Sequence, residues 1–569
     1  MNADHWDEVV DFLVVGSGAG AVCAALCVQD RGLSSLIVEK REVFGGTTGY
    51  SGGVAWIPNN PLMARDGVRD SYERSRRYLD AAVWYDGPAT SAARREAFLR
   101  TGPEVVEYME GKGMKFGRPD GYSDYYDDLP GGEPRSRSVI AQRFDLNELG
   151  EWKHRLSVNK GPPFRIGMDE LSSLLLVRRT WSAKWKALGV GARLLWQALT
   201  GRDVRGAGAA WQGRMLQIAL RERIPFRLNT PVHRLIHDRG RVTGVEVACD
   251  GKPLRIRTRQ GVLINAGGFA RNAEMRRQYG RQPSSIDWNA VSPGDTGEMI
   301  QEAMELGAAT DCLDEAWWGI TSRNVNGGLP EGAIAADGTP MPFGHHFDIS
   351  FPHVILVDSN GQRFANEAGS YMELGQRLYA RLEELGKPLP AIWAIIESRH
   401  RKRYPWGSVL GKTPKSWFDS GYMKRADTVE ALAQQCGIDS LGLRSTVDRF
   451  NDFCKSGIDK DYGKGAKAFD RCHGDPTVIP NPNLGPIERA PFYAVAIYPG
   501  DVGTCGGLVT DEHARVLRSD GVPIEGLYAT GNSTASVVGR SYPGAGASIG
   551  PALVFGYRAA QHVVSGVCP

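Results

Sequence analysis

Asp11-Phe12-Leu13-Val14-Val15-Gly16-Ser17-Gly18-Ala19-Gly20-Ala21, with Val38-Glu39-Lys40 beyond it, combines a buried strand, a glycine-rich turn, a small-residue helix start and an acid closing the next strand. Gly16 allows a sharp turn, and Gly18 lets a pyrophosphate come close to the backbone. Small residues at Gly20 and Ala21 let the helix pack closely on the sheet, and Glu39 stands where ribose hydroxyls need an acceptor. The helix N-terminus offers unpaired N–H groups to the phosphates. A glycine triplet alone is a weak signal. Flanked by a strand, a helix and a distal acid, it predicts a dinucleotide-binding βαβ unit.

Further glycine blocks decide which dinucleotide. Gly45-Gly46-Thr47-Thr48-Gly49-Tyr50-Ser51-Gly52-Gly53 follows the first unit, and Gly261-Val262-Leu263-Ile264-Asn265-Ala266-Gly267-Gly268 lies mid-chain. Gly526-Leu527-Tyr528-Ala529-Thr530-Gly531-Asn532 then leads into Tyr542-Pro543-Gly544-Ala545-Gly546-Ala547-Ser548-Ile549-Gly550-Pro551. Nicotinamide enzymes rarely need such distant glycine segments around one cofactor. FAD does, because its flavin extends past the first βαβ unit. These blocks resemble the flavoprotein superfamily of fumarate reductases and 3-ketosteroid dehydrogenases, from Asp11 to about Gln561. The resemblance implies contacts to FAD from Gly16, Gly18, Gly20, Ala21, Glu39 and Lys40. The second block adds Gly45, Gly46, Thr47, Thr48, Ser51, Gly52 and Gly53. The middle of the chain contributes Val232, Ala266, Gly267 and Gly268, and the end contributes Gly531, Asn532, Ala547, Ser548 and Ile549. No histidine stands near Thr47-Thr48-Gly49 for covalent attachment, so FAD is expected to be noncovalent.

At 569 residues the chain is too long for one simple core. The expected class is α/β, an α+β mixture. A discontinuous Rossmann-like FAD-binding domain, residues 1–294 and 490–569, is interrupted by an inserted substrate domain at 295–489. With 42% hydrophobic and 23% charged residues the composition is that of an ordinary globular protein, and a net charge of +3 implies no general affinity for nucleic acid. Nine cysteines without a CxxC pair read as reduced thiols. Eleven histidines include no HExxH or other ligand spacing, so no metal is expected. Met1 to Val10 carries acids where a signal peptide needs bases and an apolar run, and no eighteen-residue apolar run exists. A cytoplasmic protein is expected.

The candidate chemistry lies in three tyrosine contexts. They are Gly121-Tyr122-Ser123-Asp124-Tyr125-Tyr126, Asn366-Glu367-Ala368-Gly369-Ser370-Tyr371 and Tyr542-Pro543-Gly544-Ala545-Gly546. Any single tyrosine reads as a half-buried residue with a satisfied hydroxyl. As a set, these resemble the active-site pattern of 3-ketosteroid Δ1-dehydrogenases. That resemblance implies Tyr371 as base, Tyr125 as its hydrogen-bonding partner with Tyr126 as the alternative, and the Tyr542 hydroxyl with the Gly546 N–H as an oxyanion hole. A proton next to a ketone is weakly acidic unless the carbonyl oxygen is stabilised as charge develops. Tyrosine serves as a base only where its anion is favoured, and Tyr125 is the expected source of that help.

Other readings remain. Fumarate reductases and related flavin-dependent enoate reductases use an arginine proton donor, and Arg363 and Arg540 sit near the relevant blocks. A 3-ketosteroid Δ4-dehydrogenase differs only in which ring carbons are presented. Residues 174–202 are basic and rich in tryptophan. On a helix Trp181, Trp185, Leu188, Ala192, Leu195 and Leu199 share one face, which fits either an interfacial membrane helix or a core-packing helix weakened by Gly189 and Gly191. The interfacial reading puts the protein peripherally on the inner face of the cell membrane, and also admits a membrane-attached flavoprotein that only relays electrons. A quinone and a soluble carrier both suit the role of electron acceptor.

Overall fold

The computed structural model describes residues 5–119, 121–158, 166–249, 251–333, 341–407 and 409–566. An eight-stranded sheet is centred on Glu8–Val15, which pairs in parallel with Ser35–Val38 on one side and Lys252–Ile264 on the other. Phe12, Leu13 and Val14 are fully buried, which explains an apolar run without alternation. Lys252–Ile264 serves two neighbours. Its first half pairs antiparallel with Arg241–Cys249, and its last residues pair in parallel with Pro523–Ala529. The last part of the chain therefore completes the sheet begun near the N-terminus.

Register brings Val15, Val38, Ile264 and Ala529 level. The chain leaves all four strands at one edge, the carboxyl edge where open α/β sheets bind ligands. The helix Ala21–Gln29 is buried almost throughout and packs against the final helix Ile549–Ser565. They meet at glycines: a Cβ on Gly20 would lie 2.5 Å from the Ala552 carbonyl oxygen.

The second sheet is six-stranded and antiparallel around Phe492–Thr504. The start of that strand pairs with Ile392–Glu397 and Met423–Ala426, and the rest with Ala316–Ser322. Phe492–Thr504 lies beyond residue 489, yet its pairing assigns it to the second sheet; the first sheet resumes at Arg515–Leu517. Gly500 lies against the neighbouring strand, where a Cβ would stand 2.4 Å from the Thr321 methyl. The helix Tyr371–Leu385 crosses Ala316–Ser322 at Gly375, where a Cβ would fall 2.2 Å from that of Trp318.

Candidate active site

A cavity of about 580 Å³ opens at the carboxyl edge of the first sheet and runs to the second. Gly16 begins it with φ +93°, and a Cβ there would lie 2.4 Å from the Asn265 carbonyl oxygen. Glu39 is buried and already oriented: Oε2 accepts from the Ser17 N–H (3.1 Å) and hydroxyl (2.6 Å), and Oε1 from the Arg41 N–H (3.0 Å). Each oxygen of a carboxylate has further acceptor capacity to offer. A glycine-cornered turn, an oriented acid and a run of small and hydroxyl residues suit FAD along this wall.

The expected reaction residues all line this cavity, as do all but five of the expected cofactor residues. Gly20, Ala21, Gly45, Gly268 and Ala547 lie behind the wall and shape it. Gly45 at φ +118° donates its N–H to the Ser17 hydroxyl (2.8 Å), and Gly268 donates to Asp295 (2.7 Å). Asp295 lines the cavity and went unnoticed in the sequence, where nothing but its position after Gly294 marks it. Burial pushes its carboxyl up to about 6.

Three phenol rings from distant parts of the chain meet at the other end. Tyr371 and Tyr542 lie 4.9 Å apart between ring centroids, Tyr125 and Tyr542 5.4 Å, and Tyr125 and Tyr371 5.5 Å. Tyr371 begins the helix Tyr371–Leu385, so a rigid element aims it. Tyr125 is held by its own N–H on the Pro543 carbonyl (3.0 Å) and by the Phe469 ring, tilted by 36° with its centroid 4.1 Å away. Tyr126 turns away from the cavity, its ring beneath the Lys467 ammonium at 5.7 Å. The Gly546 N–H donates to the Tyr542 hydroxyl (3.3 Å), so the two expected ketone donors converge. Gly546 has φ +92°, and a Cβ would lie 2.2 Å from the Val54 carbonyl oxygen, so glycine is required here. Its own carbonyl accepts from the Trp56 N–H (3.0 Å), which fixes the turn to the strand Val54–Trp56.

Burial raises all three phenols. Tyr371 and Tyr125 are pushed well above the ordinary tyrosine value, while Tyr542 rises less because hydrogen bonds with Tyr371, Ser548 and the Gly546 backbone favour its anion. The sequence predicts that Tyr125 eases ionisation of Tyr371. The structure shows the opposite: burial raises Tyr371, and contact with Tyr125 and Tyr542 raises it further. The hydrogen bonds that favour the Tyr542 anion suit a donor to a developing enolate.

Neither arginine weighed as a proton donor is available. Arg363 is buried in ion pairs with Glu367 (2.9 Å) and Asp459 (2.9 Å), and Arg540 pairs with Asp314 (2.7 Å) and Glu315 (2.8 Å). Neither lines the cavity. Among the described residues, no group of three or more histidines, cysteines or acids is placed to hold a metal ion.

Residues Trp181–Thr200 form one continuous helix despite Gly189 and Gly191. Only Ala183, Val190 and Gln197 are buried, one residue every second turn. Trp181, Trp185, Leu188, Leu195 and Leu199 are all more than 60% exposed, so the apolar face does not pack into a core. Lys184 lies over Trp181 (4.1 Å) and Arg202 over Trp196 (4.8 Å). The helix packs on Met168–Leu174, whose Leu171 lines the cavity. Among the described residues no helix is long and apolar enough to cross a membrane.

The profile of the family described as "FAD binding domain" matches residues 11–549. The chain is 38% identical to a 3-oxosteroid 1-dehydrogenase of Mycolicibacterium smegmatis, over 98% of this chain and 97% of that protein. It is 39% identical to a 3-oxosteroid 1-dehydrogenase of Mycobacterium tuberculosis, over 97% and 98% respectively. Among solved structures it is similar to the 3-ketosteroid Δ1-dehydrogenase of Sterolibacterium denitrificans in complex with 1,4-androstadiene-3,17-dione. That match has a TM-score of 0.90 and 35% identity, covering 98% of this chain and 100% of the other.

Proposed function

We propose a reaction for a chain that belongs to the FAD binding domain family and, within it, to the 3-oxosteroid 1-dehydrogenases: it removes one hydrogen each from ring carbons 1 and 2 of a 3-ketosteroid. The observation that carries this reading is the convergence of Tyr125, Tyr371, Tyr542 and the Gly546 N–H on the cofactor cleft. FAD, when bound, supplies a hydride acceptor for carbon 1 at flavin N5. Gly16, Gly18, Glu39 and the Thr47-Thr48 block would hold its dinucleotide part, and Ser548 and Ile549 stand at the start of the last helix. That helix end favours negative charge on reduced flavin.

The remaining work belongs to this chain's own side chains. Tyr542 O–H and Gly546 N–H donate to the ketone oxygen, and their bonds strengthen as carbon 2 loses its proton to Tyr371. Each such donor contributes about 3–4 kcal/mol in comparable sites. Tyr125 donates to the Tyr371 oxygen and restrains its ring. Two hydrogens leave the steroid, one as a proton and one as a hydride, and a carbon–carbon double bond replaces the two C–H bonds.

Anaerobic mixing of the yellow protein with androst-4-ene-3,17-dione tests this. Bleaching of the flavin with loss of two mass units and formation of the 1,4-diene is expected. Hydrogens lost from another position would move the enzyme to a different regiochemistry. Absence of bleaching, with reduced flavin reoxidised by fumarate, would place it with the reductases.

The same reading puts the chain at the cytoplasmic face of a membrane, with the helix Trp181–Thr200 in the headgroup layer. Exposed tryptophans and leucines with basic residues beside them suit an anionic interface. A steroid dissolved in lipid then meets the protein beside Leu171, and a quinone acceptor is within the same phase. Wild-type protein is expected to sediment with phosphatidylglycerol-containing vesicles. A Trp181→Ser/Trp185→Ser/Leu199→Ser variant should stay in solution while turning over detergent-solubilised steroid normally. Equal sedimentation of both proteins would remove the membrane from the account.

A further inference from the structure

The base and the oxyanion donor are carried by different parts of the chain, Tyr371 by a helix on the second sheet and Tyr542 by a loop beside the first. Their separation must be set by something that touches both elements. Gln376 lies on the helix five residues after Tyr371. Its side-chain amide donates to the main-chain carbonyl of Arg540 (2.8 Å), two residues before Tyr542. The same amide lies 3.4 Å from Glu315 Oε2. Glu315 is a fully buried carboxylate just before the strand Ala316–Ser322, and both of its oxygens are occupied. Oε2 accepts from the Trp318 indole N–H (2.6 Å), while Oε1 accepts from Arg540 Nη1 (2.8 Å) and from Arg281. Asp314 holds both terminal nitrogens of Arg540 (2.7 and 2.8 Å).

These bonds lie at the back of the tyrosine cluster. Trp318 packs 4.7 Å from Tyr379 of the same helix, and its neighbour Trp317 lies 5.1 Å from the Tyr542 ring. A slip of the helix along the strand would shift Tyr371 relative to Tyr542. The Gln376–Arg540 bond ties the two elements directly at the back of the cluster, and Glu315 fixes both of its ends. None of the three residues lines the cavity.

We propose that Gln376 is a positioning residue for the dehydrogenation, setting the distance between Tyr371 and Tyr542 through the Arg540 carbonyl and the Glu315 hub. The inference rests on the reaction proposed above. Small displacements of reacting groups have large rate effects, and the distance between Tyr371 and Tyr542 sets how base and ketone donor meet one substrate. Glu315 itself is a poor test site, because its removal leaves buried arginine charge unpaired and threatens folding.

The test is Gln376→Met, which keeps the side chain's length and deletes its donor, in the FAD-loaded enzyme. With androst-4-ene-3,17-dione, the rate of flavin reduction is expected to fall about tenfold, with KM and FAD content within twofold of wild type. The alkaline rise of that rate should shift along the pH axis, because the contacts that raise Tyr371 change with its distance from Tyr542. Gln376→Lys, whose ammonium can reach both acceptors, should recover the rate to within about threefold. Binding of 1,4-androstadiene-3,17-dione, read from the flavin absorption spectrum without turnover, is followed in parallel. A wild-type enzyme that neither bleaches with the first steroid nor binds the second overturns the reaction and this inference together. An active wild type whose Gln376→Met variant matches it in rate and pH profile overturns the positioning role alone. So does a variant whose rate falls only in proportion to lost FAD, or one that lysine fails to rescue.

Discussion

Tyr371→Phe is expected to lower flavin reduction by a 3-ketosteroid about a thousandfold while the protein stays yellow and folded. A positioned general base contributes roughly 10²–10⁴-fold, and the other two phenols of the cluster have other tasks. Tyr542 is directed at the ketone, and Tyr125 sits behind Tyr371 against Phe469. The ring contacts survive in phenylalanine, including those to His346 (4.9 Å) and Tyr542 (4.9 Å), so thermal stability should change little. The pH profile is the more specific part of the expectation. Burial raises the Tyr371 hydroxyl above its ordinary value, so its basic form gains population only as pH climbs toward and past about 10. Wild-type reduction should rise steadily from neutral pH without a plateau below about 10, and the phenylalanine variant should lose that slope. Stopped-flow flavin bleaching across pH distinguishes the two. A Tyr371→Phe enzyme retaining a tenth of the rate, or a flat wild-type profile, would exclude Tyr371 as the base.

Tyr542→Phe should cost roughly 10²–10³-fold in kcat, corresponding to loss of one oxyanion donor worth about 3–4 kcal/mol. The ketone in the ground state carries little charge, so KM should stay within a few-fold and the loss should fall mainly on kcat. The Gly546 N–H remains as the second donor, its peptide held by the Ser138 hydroxyl on the Ala545 carbonyl (2.7 Å), which is why activity should fall rather than vanish. Electron transfer from chemically reduced flavin to an artificial acceptor should be unaffected. A variant with intact kcat would leave the chain without a ketone site and favour the electron-relay reading. The surroundings of Tyr542 support the assignment: burial raises it, but hydrogen bonds with Tyr371, Ser548 and the Gly546 backbone favour its anion.

Much of this was legible in the chain as written. The run Asp11 to Ala21 with Glu39 specifies strand, turn, helix and acid at fixed local spacing, and local spacing is set by backbone geometry that few other sequences satisfy. The repeated glycine blocks disclosed that one long cofactor is gripped by distant segments. Tyr371, Tyr542 and Gly546 could be singled out because each stands in a short motif of its own. Phe492–Thr504 falls in the stretch 490–569 that the sequence assigns to the FAD-binding domain, whereas strand pairing makes it the centre of the second sheet. Composition carries no information about which partner a strand finds.

What the sequence determined by itself is the cofactor class and the residue types that meet it, since both follow from short-range constraints on backbone approach. Tertiary structure decided everything that depends on direction. It turned Tyr125 into the cleft and Tyr126 out of it, faced the Trp181–Thr200 leucines and tryptophans to solvent, and joined Gln376 to Arg540 across 164 residues of chain. It also decided the acidity of the phenols. A tyrosine's ionisation depends on how completely its neighbours exclude water, and those neighbours come together only when the two sheets pack.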